Sequence, residues 1–490
     1  MTAPTTTFEH SRHSFYINGG WRRAANTQPH QLYEAATGEP LGDVPMGSEA
    51  DIDAAIDAAR RAFDDGAWSS SADIRVAALR RFADELQARR DTTAELVSRE
   101  NGMPSMMSAM SNTDLPVMLL NQYAGLLEQR PREELRQSML GATIVRQAPY
   151  GVVAAIVPWN FPQFMAMAKI APALAAGNTV IVKPSPETSL DSYILAEAAE
   201  AAGIPPGVLN IVPAGREAGA YLVAHPEVDK VSFTGSTVAG RAIGEACGRL
   251  VRPVTLELGG KSAAIILDDA DLDAYTANLV QTSFVNNGQT CVTHSRILAP
   301  VSRYREVLDA VVGAAESLKV GNPLDPTVMC GPMATSTHRD RVLGYIERGA
   351  ADGAKIATGG GIPQDQPDGW FVAPTVFSDV DNASALAQEE VFGPVIAVIP
   401  FETEEDAIRM ANESIYGLAG SVWTSDEARG IDIARRIRTG TIGVNYYQMD
   451  LNAPFGGFKA SGIGREFGPE GLDAYTQYQA IYVSADQLSS

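Results

Sequence analysis

The feature that most constrains the fold is a series of short β-branched runs that starts at residue 152. Separated by helical segments or by turns rich in Gly and Pro, the runs read VVAAIV, NTVIVK, LNIVP, KVSFTG, VTLEL and AAIIL. Between the second and third, SLDSYILAEAAEAAGIPPG predicts a helix that ends at Gly203, with Pro205 just beyond it. Strands that alternate with helices in this way form parallel sheets, so the sequence predicts a doubly wound α/β fold.

The region before these runs is predicted to be helical. Ser48 and Asp51 match a capping box, so a helix is expected to begin near Asp51. A second amphipathic helix is indicated by four apolar residues on one face, Val76, Leu79, Phe82 and Leu86. A chain of 490 residues exceeds the size of one hydrophobic core, and a second α/β region begins near residue 262. We therefore expect two or more domains.

Composition excludes several classes of function. The net charge of −21 argues against a nucleic-acid or membrane-surface partner, because both are anionic. No segment reaches the roughly 18 uninterrupted apolar residues of a spanning helix. The three cysteines, Cys247, Cys291 and Cys330, form no C-x-x-C pair, so neither a zinc site nor a redox disulfide is indicated and no metal is expected. These features predict a cytoplasmic protein.

Cys291 is a candidate nucleophile, at the end of the polar loop FVNNGQTC. A free cysteine is most often a small buried hydrophobe, but this loop consists of residues that are unusual in a core. Because a thiol is only partly ionised at neutral pH, a nucleophilic Cys291 needs a base or another activating group. The sequence offers His294 as a neighbour and Glu257 as a distant carboxylate in LELGGK, where apolar surroundings would raise its pKa.

A dinucleotide site is indicated only weakly by the glycines. The G-x-G-x-x-G fingerprint is absent, but FTGSTVAG follows a predicted strand and opens a helix. Its backbone amides at Gly235 and Gly240 are able to meet a pyrophosphate at the helix N-terminus. The alternative is that a strand-to-helix turn needs glycine for steric reasons alone.

Two paired motifs, LELGGKS at 256–262 and FVNNGQTC at 284–291, resemble the signatures of the aldehyde dehydrogenase superfamily. Further matching motifs follow in the same order over most of the chain: PWNFP, KPSPETS, FTGS, EEVFGPV and PFGGFKASGIGRE. The resemblance implies two doubly wound α/β domains and a small β oligomerisation element. It assigns 1–130 and 150–261 to an NAD(P)-binding domain, 262–473 to a catalytic domain, and 131–149 and 474–490 to the oligomerisation element of a homodimer or homotetramer.

The resemblance implies a role for each of three catalytic residues. Cys291 matches the nucleophile that attacks the aldehyde, and Glu257 matches the base that activates water for thioester hydrolysis. Asn160 matches the side-chain donor of an oxyanion hole, completed by the backbone N–H of Cys291. The implied reaction is NAD(P)-dependent oxidation of an aldehyde to a carboxylic acid.

The same resemblance implies a cofactor site and a substrate tunnel. The cofactor positions are Val157, Trp159, Lys183, Gly215, Gly235, Ser236, Glu390 and Phe392. Many relatives carry a glutamate three positions after the lysine, where this chain has Pro186; NAD is favoured, with NADP possible. The tunnel positions are apolar and favour aliphatic, terpenoid or aromatic aldehydes: Phe161, Met165, Ala168, Met449 and Phe455.

Three rival functions remain at this point. A CoA-acylating relative would pass the thioester to coenzyme A, against which the presence of Glu257 argues. A catalytically silent scaffold of the same fold would be expected to lose Cys291, Glu257 or Asn160, and all three are present. A thiol hydrolase that uses Cys291 with His294 would leave the cofactor motifs unexplained.

Overall fold

The structure is a computed structural model that describes residues 13–25, 28–129, 133–139 and 141–484. Its strands are β1 (Ser14–Ile17), β2 (Gly20–Arg23), β3 (Pro29–Tyr33), β4 (Pro40–Pro45), β5 (Glu133–Ser138), β6 (Gly141–Pro149), β7 (Val152–Ile156), β8 (Thr179–Lys183), β9 (Leu209–Ile211), β10 (Lys230–Thr234), β11 (Val254–Glu257), β12 (Ala263–Ile266), β13 (Arg296–Pro300), β14 (Lys355–Thr358), β15 (Thr375–Ser378), β16 (Val395–Phe401), β17 (Gly420–Trp423), β18 (Gly443–Val444), β19 (Gly462–Ile463) and β20 (Thr476–Ser484).

Its α-helices are α1 (Glu49–Asp64), α2 (Ala67–Ser70), α3 (Ala72–Ala88), α4 (Arg90–Asn101), α5 (Ser105–Ala109), α6 (Leu115–Gln129), α7 (Pro162–Ala176), α8 (Asp191–Ala201), α9 (Arg216–Ala224), α10 (Thr237–Arg249), α11 (Leu272–Ser283), α12 (Tyr304–Ser317), α13 (Ser336–Ala351), α14 (Ala385–Gln388), α15 (Glu404–Asn412), α16 (Glu427–Arg436) and α17 (Gly468–Asp473). A π-helical turn at Met110–Asp114 joins α5 to α6, and short 3₁₀ turns include Pro186–Thr188 and Val285–Gly288.

Two large sheets form the centre of the protein. The first has the order β19-β11-β10-β7-β8-β9-β1-β2, and its strands from β11 to β9 are parallel. The second has the order β14-β15-β16-β13-β12-β17-β18 and is parallel except at β14. The chain passes from the first sheet to the second between Glu257 and Ala263. The predicted doubly wound α/β fold class is confirmed.

Both large sheets are buried on their two faces. Successive residues of β7 alternate between two apolar clusters, with Val153 and Ala155 in one and Val152 and Ala154 in the other. In the second sheet β12 alternates in the same way, with Ala263 in one cluster and Ala264 in another. Side chains of a strand point to opposite faces in turn, so helices must cover each sheet on both sides.

Local sequence signals account for several elements. Ser48 caps α1, and its hydroxyl and the Asp51 carboxylate form the predicted capping box. Helix α8 ends at Ala201, and Gly203 has a φ of +66°. None of the helices in the described ranges has both the length and the apolar character of a membrane-spanning helix.

A third, smaller sheet has the antiparallel order β20-β6-β5. It includes most of the hairpin and C-terminal strand that were expected to form an oligomerisation element; residues 130–132, 140 and 485–490 lie outside the described residues, as do 1–12 and 26–27. One strand was not expected: β19, which is two residues long, joins the first sheet by pairing with β11 at Glu257. The region after 262 therefore also contributes to the first sheet.

Candidate active site

Four candidate residues lie at or just beyond the carboxyl ends of adjacent parallel strands in the first sheet. Lys183 and Glu257 are the last residues of β8 and β11, Gly235 directly follows β10, and Asn160 lies just beyond β7. Because β11, β10, β7 and β8 are neighbours, these residues lie along one edge. In open α/β sheets this edge is where ligands bind.

Cys291 and the segment that contains Glu390 and Phe392 approach from the second sheet. Cys291 precedes β13, and Glu390 and Phe392 precede β16. Strands β13 and β16 pair in parallel, so their amino ends lie side by side. Gly260 connects the two sets of residues: its N–H donates to Glu390 Oε1 at 2.9 Å, and a Cβ on Gly260 would lie 2.3 Å from the carbonyl oxygen of Cys291.

The loop before Cys291 is held in an unusual conformation. Asn286, Asn287 and Gly288 all have positive φ, which asparagine and glycine tolerate best. A Cβ on Gly288 would lie 2.1 Å from the carbonyl oxygen of Gly393, so only glycine allows the loop to approach the Glu390 segment. The side chain of Asn287 donates to the carbonyl oxygens of Gly102 and Pro332, both at 2.9 Å. Hydrogen bonds of this kind satisfy the buried asparagine side chain and fix the loop.

Asn160 is buried beside this loop. Its side-chain Nδ2 donates to the carbonyl oxygen of Gln289 at 2.9 Å, which uses one of its two N–H bonds. The backbone oxygen of Asn160 accepts hydrogen bonds from Asn286 Nδ2 at 2.9 Å and from Asn101 Nδ2 at 3.1 Å. The Asn160 amide is therefore bound to Gln289, which lies two residues before Cys291 in the sequence. The second N–H of Asn160 Nδ2 is not used in this hydrogen bond.

The thiol of Cys291 lies in a partly buried, apolar environment near two carboxyl groups. Burial raises its pKa, and the charges of Glu390 and Glu257 raise it further. The backbone N–H groups of Cys291 and Val292 act in the opposite direction, because they stabilise the thiolate. Cys247 and Cys330 differ, because both are completely buried.

Glu257 is buried, and neither of its carboxylate oxygens has a hydrogen-bond partner among the described residues. Burial raises its pKa well above the ordinary value, and the nearby Glu466 raises it further. Lys169 and Arg465 lower it by a smaller amount. A carboxyl group in this environment is protonated more readily than an exposed one, which suits a base that works near neutral pH.

A buried ion pair beside Glu257 was not identified from the sequence. Lys169 Nζ lies 2.6 Å from Glu466 Oε1 and 2.7 Å from Thr234 Oγ1, and both charged side chains are almost completely buried. Lys169 is the one cation in the apolar segment MAMAKIAPALAA, and such a residue is rarely buried unless it is paired. That signal could have identified it, although its partner lies far away in the sequence. Asn101 was missed as well.

His294 has neighbours other than Cys291. Its Nδ1 lies 3.2 Å from Ser421 Oγ, and its ring contacts the Tyr447 ring edge-on at 4.9 Å between centroids. Complete burial lowers its pKa to about 3, so the ring is neutral and a poor proton acceptor. The arrangement does not favour a cysteine–histidine hydrolase.

The predicted cofactor residues surround the carboxyl edge. Lys183 Nζ donates to the carbonyl oxygens of Pro184 at 2.8 Å and Ala214 at 2.7 Å, and burial lowers its pKa to about 8. Val157 is buried and donates its N–H to the Lys183 carbonyl. Gly215 is the N-cap of α9 and Ser236 the N-cap of α10, where its hydroxyl accepts from Ala239 N.

Two further cofactor candidates, Trp159 and Phe392, belong to an aromatic cluster. The Trp159 and Phe392 rings meet edge-on, with their centroids 5.4 Å apart. Phe392 has a φ of +63°, which is rare for a bulky residue. A dinucleotide needs a set of groups that this edge provides: a lysine, helix-terminal amides, a carboxylate and aromatic faces. The site therefore fits NAD.

The five predicted tunnel residues all belong to, or pack against, the large apolar core cluster that Cys291 also contacts. Met165, Ala168 and Phe455 are buried in this cluster, and Phe161, Met449, Tyr447 and Cys291 pack against it. A cavity of about 190 Å³ opens beside it, lined by Thr441, Ile442, Gly443, Tyr446, Tyr447, Gln448, Met449, Asp450, Ala453, Pro454 and Phe455. No group of three or more metal-ligating side chains was found among the described residues.

Comparison with known proteins gives the family. Residues 21–481 match the sequence model of the Aldehyde dehydrogenase family. The chain is 52% identical over 470 residues to geranial dehydrogenase of Castellaniella defragrans, covering 96% of this chain and 98% of that protein. It is 40% identical over 484 residues to phenylacetaldehyde dehydrogenase of Pseudomonas fluorescens, covering 96% of each chain.

Solved structures agree. The crystal structure of a Mycobacterium tuberculosis aldehyde dehydrogenase complexed with NAD⁺ has a TM-score of 0.94 and 46% identity, covering 96% of this chain and 98% of that one. A cysteine-to-alanine mutant of aldehyde dehydrogenase C from Pseudomonas syringae, complexed with NAD⁺ and octanal, has a TM-score of 0.94 and 35% identity, covering 97% of each chain. The chain therefore belongs to the aldehyde dehydrogenase family of oxidoreductases.

Proposed function

We propose that the protein oxidises an apolar aldehyde, foremost a terpenoid one, to the carboxylic acid with NAD as the electron acceptor and Cys291 as the nucleophile. The observation that carries this proposal is the position of the Cys291 thiol. It packs against the apolar core cluster that contains the predicted tunnel residues, and it lies near the Glu257 and Glu390 carboxyl groups, while the Asn160 amide is bound to Gln289 in the same loop. A residue is proposed for each step: thiol attack, oxyanion stabilisation, hydride transfer and thioester hydrolysis.

Attack begins when Cys291 loses its proton. The raised pKa of the thiol keeps it protonated at rest, so the thiolate forms only as the reaction starts. The proton passes to solvent water, so that Glu257 remains a carboxylate for the later hydrolysis step, and the N–H groups of Cys291 and Val292 stabilise the sulfur anion. The sulfur then bonds to the aldehyde carbon, and the carbonyl π electrons move to oxygen.

The resulting oxyanion is stabilised by two N–H donors. One is the Asn160 N–H that Gln289 does not use, and the other is the backbone N–H of Cys291. Both are neutral and held in place before the reaction. A donor of this kind typically contributes about 2.7 to 4 kcal/mol to transition-state stabilisation.

When bound, NAD supplies the nicotinamide ring that takes the hydride from the thiohemiacetal carbon. Lys183 and the α10 amides would hold the adenosine and pyrophosphate, and Glu390 would bind the nicotinamide ribose. Collapse of the oxyanion restores the C=O bond as the hydride leaves, and Cys291 carries a thioester.

Glu257 completes the cycle. Its carboxylate takes a proton from water, the hydroxide oxygen bonds to the thioester carbon, and the C–S bond breaks to release the carboxylic acid. Because no residue in the described part of the chain hydrogen-bonds to either Glu257 oxygen, both are free to accept from water. This role disfavours transfer to coenzyme A.

The cavity favours an apolar substrate. Its lining contains tyrosine, methionine and phenylalanine side chains, and its one charged residue is Asp450. Asp450 would repel the carboxylate of a semialdehyde, and no lining cation is present to offset this. The geranial dehydrogenase relative points to the same class of substrate.

The test is NADH absorbance with purified protein and a panel of geranial, octanal, phenylacetaldehyde and succinic semialdehyde. We expect the highest kcat/KM with geranial, at least about tenfold above the semialdehyde, and no dependence on coenzyme A. A strict requirement for coenzyme A would favour the acylating alternative. Absence of NADH and NADPH formation with every aldehyde would favour the silent scaffold.

We further propose a homodimer or homotetramer in the cytoplasm. The β20-β6-β5 sheet exposes apolar side chains, among them Leu135, Tyr478 and Tyr482, which association would cover. The three unpaired cysteines fit a reducing compartment. Native mass spectrometry tests the assembly, and a purely monomeric spectrum at micromolar concentration would contradict it.

A further inference from the structure

The segment Glu390–Phe392 is held by one face of helix α13. Arg341 Nη2 donates to the carbonyl oxygen of Glu390 at 2.7 Å, and Arg341 Nη1 donates to that of Val391 at 2.8 Å. His338 Nε2 lies 2.7 Å from the carbonyl oxygen of Phe392. Three consecutive carbonyl groups are thus bound by two side chains that are one helical turn apart.

The tautomer of His338 follows from this geometry. A carbonyl oxygen accepts hydrogen bonds but cannot donate, so Nε2 must carry the proton. Burial lowers the pKa of His338 to about 4, which leaves the ring neutral at pH 7. The ring also packs edge-on against Trp159, with centroids 5.1 Å apart, and against Phe392 at 6.0 Å.

Helix α13 continues the contact by one more residue. Val342 lies on the same face, and a Cβ on Gly393 would lie 2.8 Å from its side chain. On its other side, the segment contacts the nucleophile loop through Gly393 and Gly288, and Glu390 accepts from Gly260 N. The segment therefore lies between α13 and the loop that carries Cys291.

This segment needs an external restraint. It contains no regular secondary structure between α14 and β16, and Phe392 has a left-handed φ of +63°, which a free chain rarely adopts. The hydrogen bonds from α13 satisfy carbonyl groups that no sheet or helix satisfies. Without them, the Glu390 carboxylate and the Phe392 ring would lose their fixed direction.

We propose that His338 and Arg341 are positioning residues, which fix Glu390 and Phe392 relative to Cys291 so that the nicotinamide end of NAD meets the thiohemiacetal in a productive position. This inference rests on the proposed function of Glu390 and Phe392 at the nicotinamide. We call these two side chains the α13 clamp and Glu390–Phe392 the clamped segment; neither His338 nor Arg341 needs to touch the substrate.

The test compares His338→Leu and Arg341→Met with a matched control, Arg339→Met. Arg339 lies on the same helix, but its guanidinium contacts Asp340 and the Gly369 carbonyl instead of the clamped segment. We expect each clamp variant to slow the NADH burst by about tenfold and to weaken NAD binding by calorimetry, with the aldehyde KM within about twofold of wild type. Arg339→Met should behave as wild type.

Two further readouts separate positioning from general structure. Hydrogen exchange in peptides that span 389–395 should become faster in Arg341→Met and stay unchanged in Arg339→Met. His338→Gln, which retains an N–H donor, should recover most of the burst rate that His338→Leu loses. The double clamp variant should lose less than the product of the single losses, because both residues restrain one segment.

The proposal is overturned if folded clamp variants keep wild-type burst rates and NAD affinity, even where their Tm falls. It is also overturned if exchange in 389–395 is unchanged. Hydrogen exchange and NAD calorimetry need no turnover, so they test the clamp even if the aldehyde panel shows no activity in the wild-type protein.

Discussion

Glu257, which is buried, and Glu390, which is partly buried, both lie near the Cys291 sulfur, yet their surroundings differ. Glu390 accepts a hydrogen bond from Gly260 N, and its backbone carbonyl is bound by Arg341. Within the described ranges, neither side-chain oxygen of Glu257 has a hydrogen-bond partner. Glu390 is therefore fixed, which suits the proposed role as a cofactor ligand. Glu257 is free to take up a proton and to turn toward water.

The neighbouring charges differ as well. Burial raises the pKa of Glu390 to about 7, and the hydrogen bond from Gly260 and the charges of Arg341 and Lys261 oppose this effect. Glu257 lies near another acid, Glu466, and its pKa rises well above the ordinary value. Proton transfer in the catalytic cycle is therefore expected at Glu257, whereas Glu390 acts through its position.

The largest expected effect comes from removal of the sulfur that both carboxyl groups lie near. Cys291→Ala should reduce turnover by a factor of at least about 10,000 and leave folding and NAD binding intact. Cys330→Ala and Cys247→Ala are the controls, because both residues are buried away from solvent. The measurements are NADH formation and NAD calorimetry. Near-normal turnover in Cys291→Ala would remove the nucleophile assignment.

Glu257→Gln should affect the second half of the reaction. Glutamine keeps the size of the side chain but cannot accept the proton, so steady-state turnover should fall by a factor of about 100 to 10,000. In stopped-flow mixing, a burst of NADH close to one per active site should remain, with an acyl group on Cys291 in the intact mass. The burst will slow if Glu257 also deprotonates Cys291. Slow turnover with neither burst nor adduct would contradict the deacylation role.

Glu390→Gln should show the opposite pattern. We expect kcat/KM for NAD to fall by about tenfold to a hundredfold, because a charged hydrogen-bond acceptor is lost, and no thioester should accumulate. Intact mass of the quenched enzyme is the measurement. An acyl adduct in this variant as strong as in Glu257→Gln would mean that the two carboxyl groups do not have separate roles.

The pH dependence of kcat and of NAD affinity should distinguish Glu257 from Glu390 in the wild-type protein, without a substitution at either residue. Protonation of Glu257 removes the base, so kcat should rise with pH through its raised pKa, and Glu257→Gln should flatten this limb. If Glu390 binds the nicotinamide ribose as proposed, its protonation would weaken that contact, so NAD affinity should fall as pH drops below about 7. Calorimetry on both sides of that pH checks it, with Glu390→Gln expected to show no such change.

Much of this arrangement could be predicted because it depends on short stretches of sequence. The β-branched runs define the parallel strands, and residues at or just beyond the carboxyl ends of such strands lie along one edge, as Asn160, Lys183 and Glu257 do. The capping box at Ser48 is equally local. The motif resemblance added the roles of these residues.

The rest depends on contacts between distant parts of the chain. The partners in the Lys169–Glu466 pair and in the α13 clamp lie far apart in sequence, and no local pattern connects them. Strand β19 has only two residues, too few for a periodic signal. His294 shows the reverse problem, because it is close to Cys291 in sequence but its ring pairs with Ser421.

The smallest expected effect concerns Pro186, where the chain lacks the carboxylate that many relatives carry. Pro186 opens the 3₁₀ turn after Lys183, and the next residue, Glu187, accepts a hydrogen bond from Ser185 Oγ. The charge of Glu187 already acts on Lys183, where it raises the pKa that burial lowers to about 8. A second carboxylate would therefore add little to a site that is acidic already.

Pro186→Glu should raise the ratio of kcat/KM for NAD over NADP by roughly threefold to tenfold, because the new negative charge would repel a 2′-phosphate. Pro186→Gln is the matched control: it removes the same ring and adds a side chain of the same size without charge, so its ratio should stay near wild type. Steady-state kinetics with both cofactors at fixed ionic strength is the measurement, and the effect should shrink as salt is added. If both variants change the ratio equally, the cause is the turn itself rather than the charge. An unchanged ratio in folded Pro186→Glu would mean that the ribose is recognised elsewhere, and Glu187→Gln would then be the variant to measure.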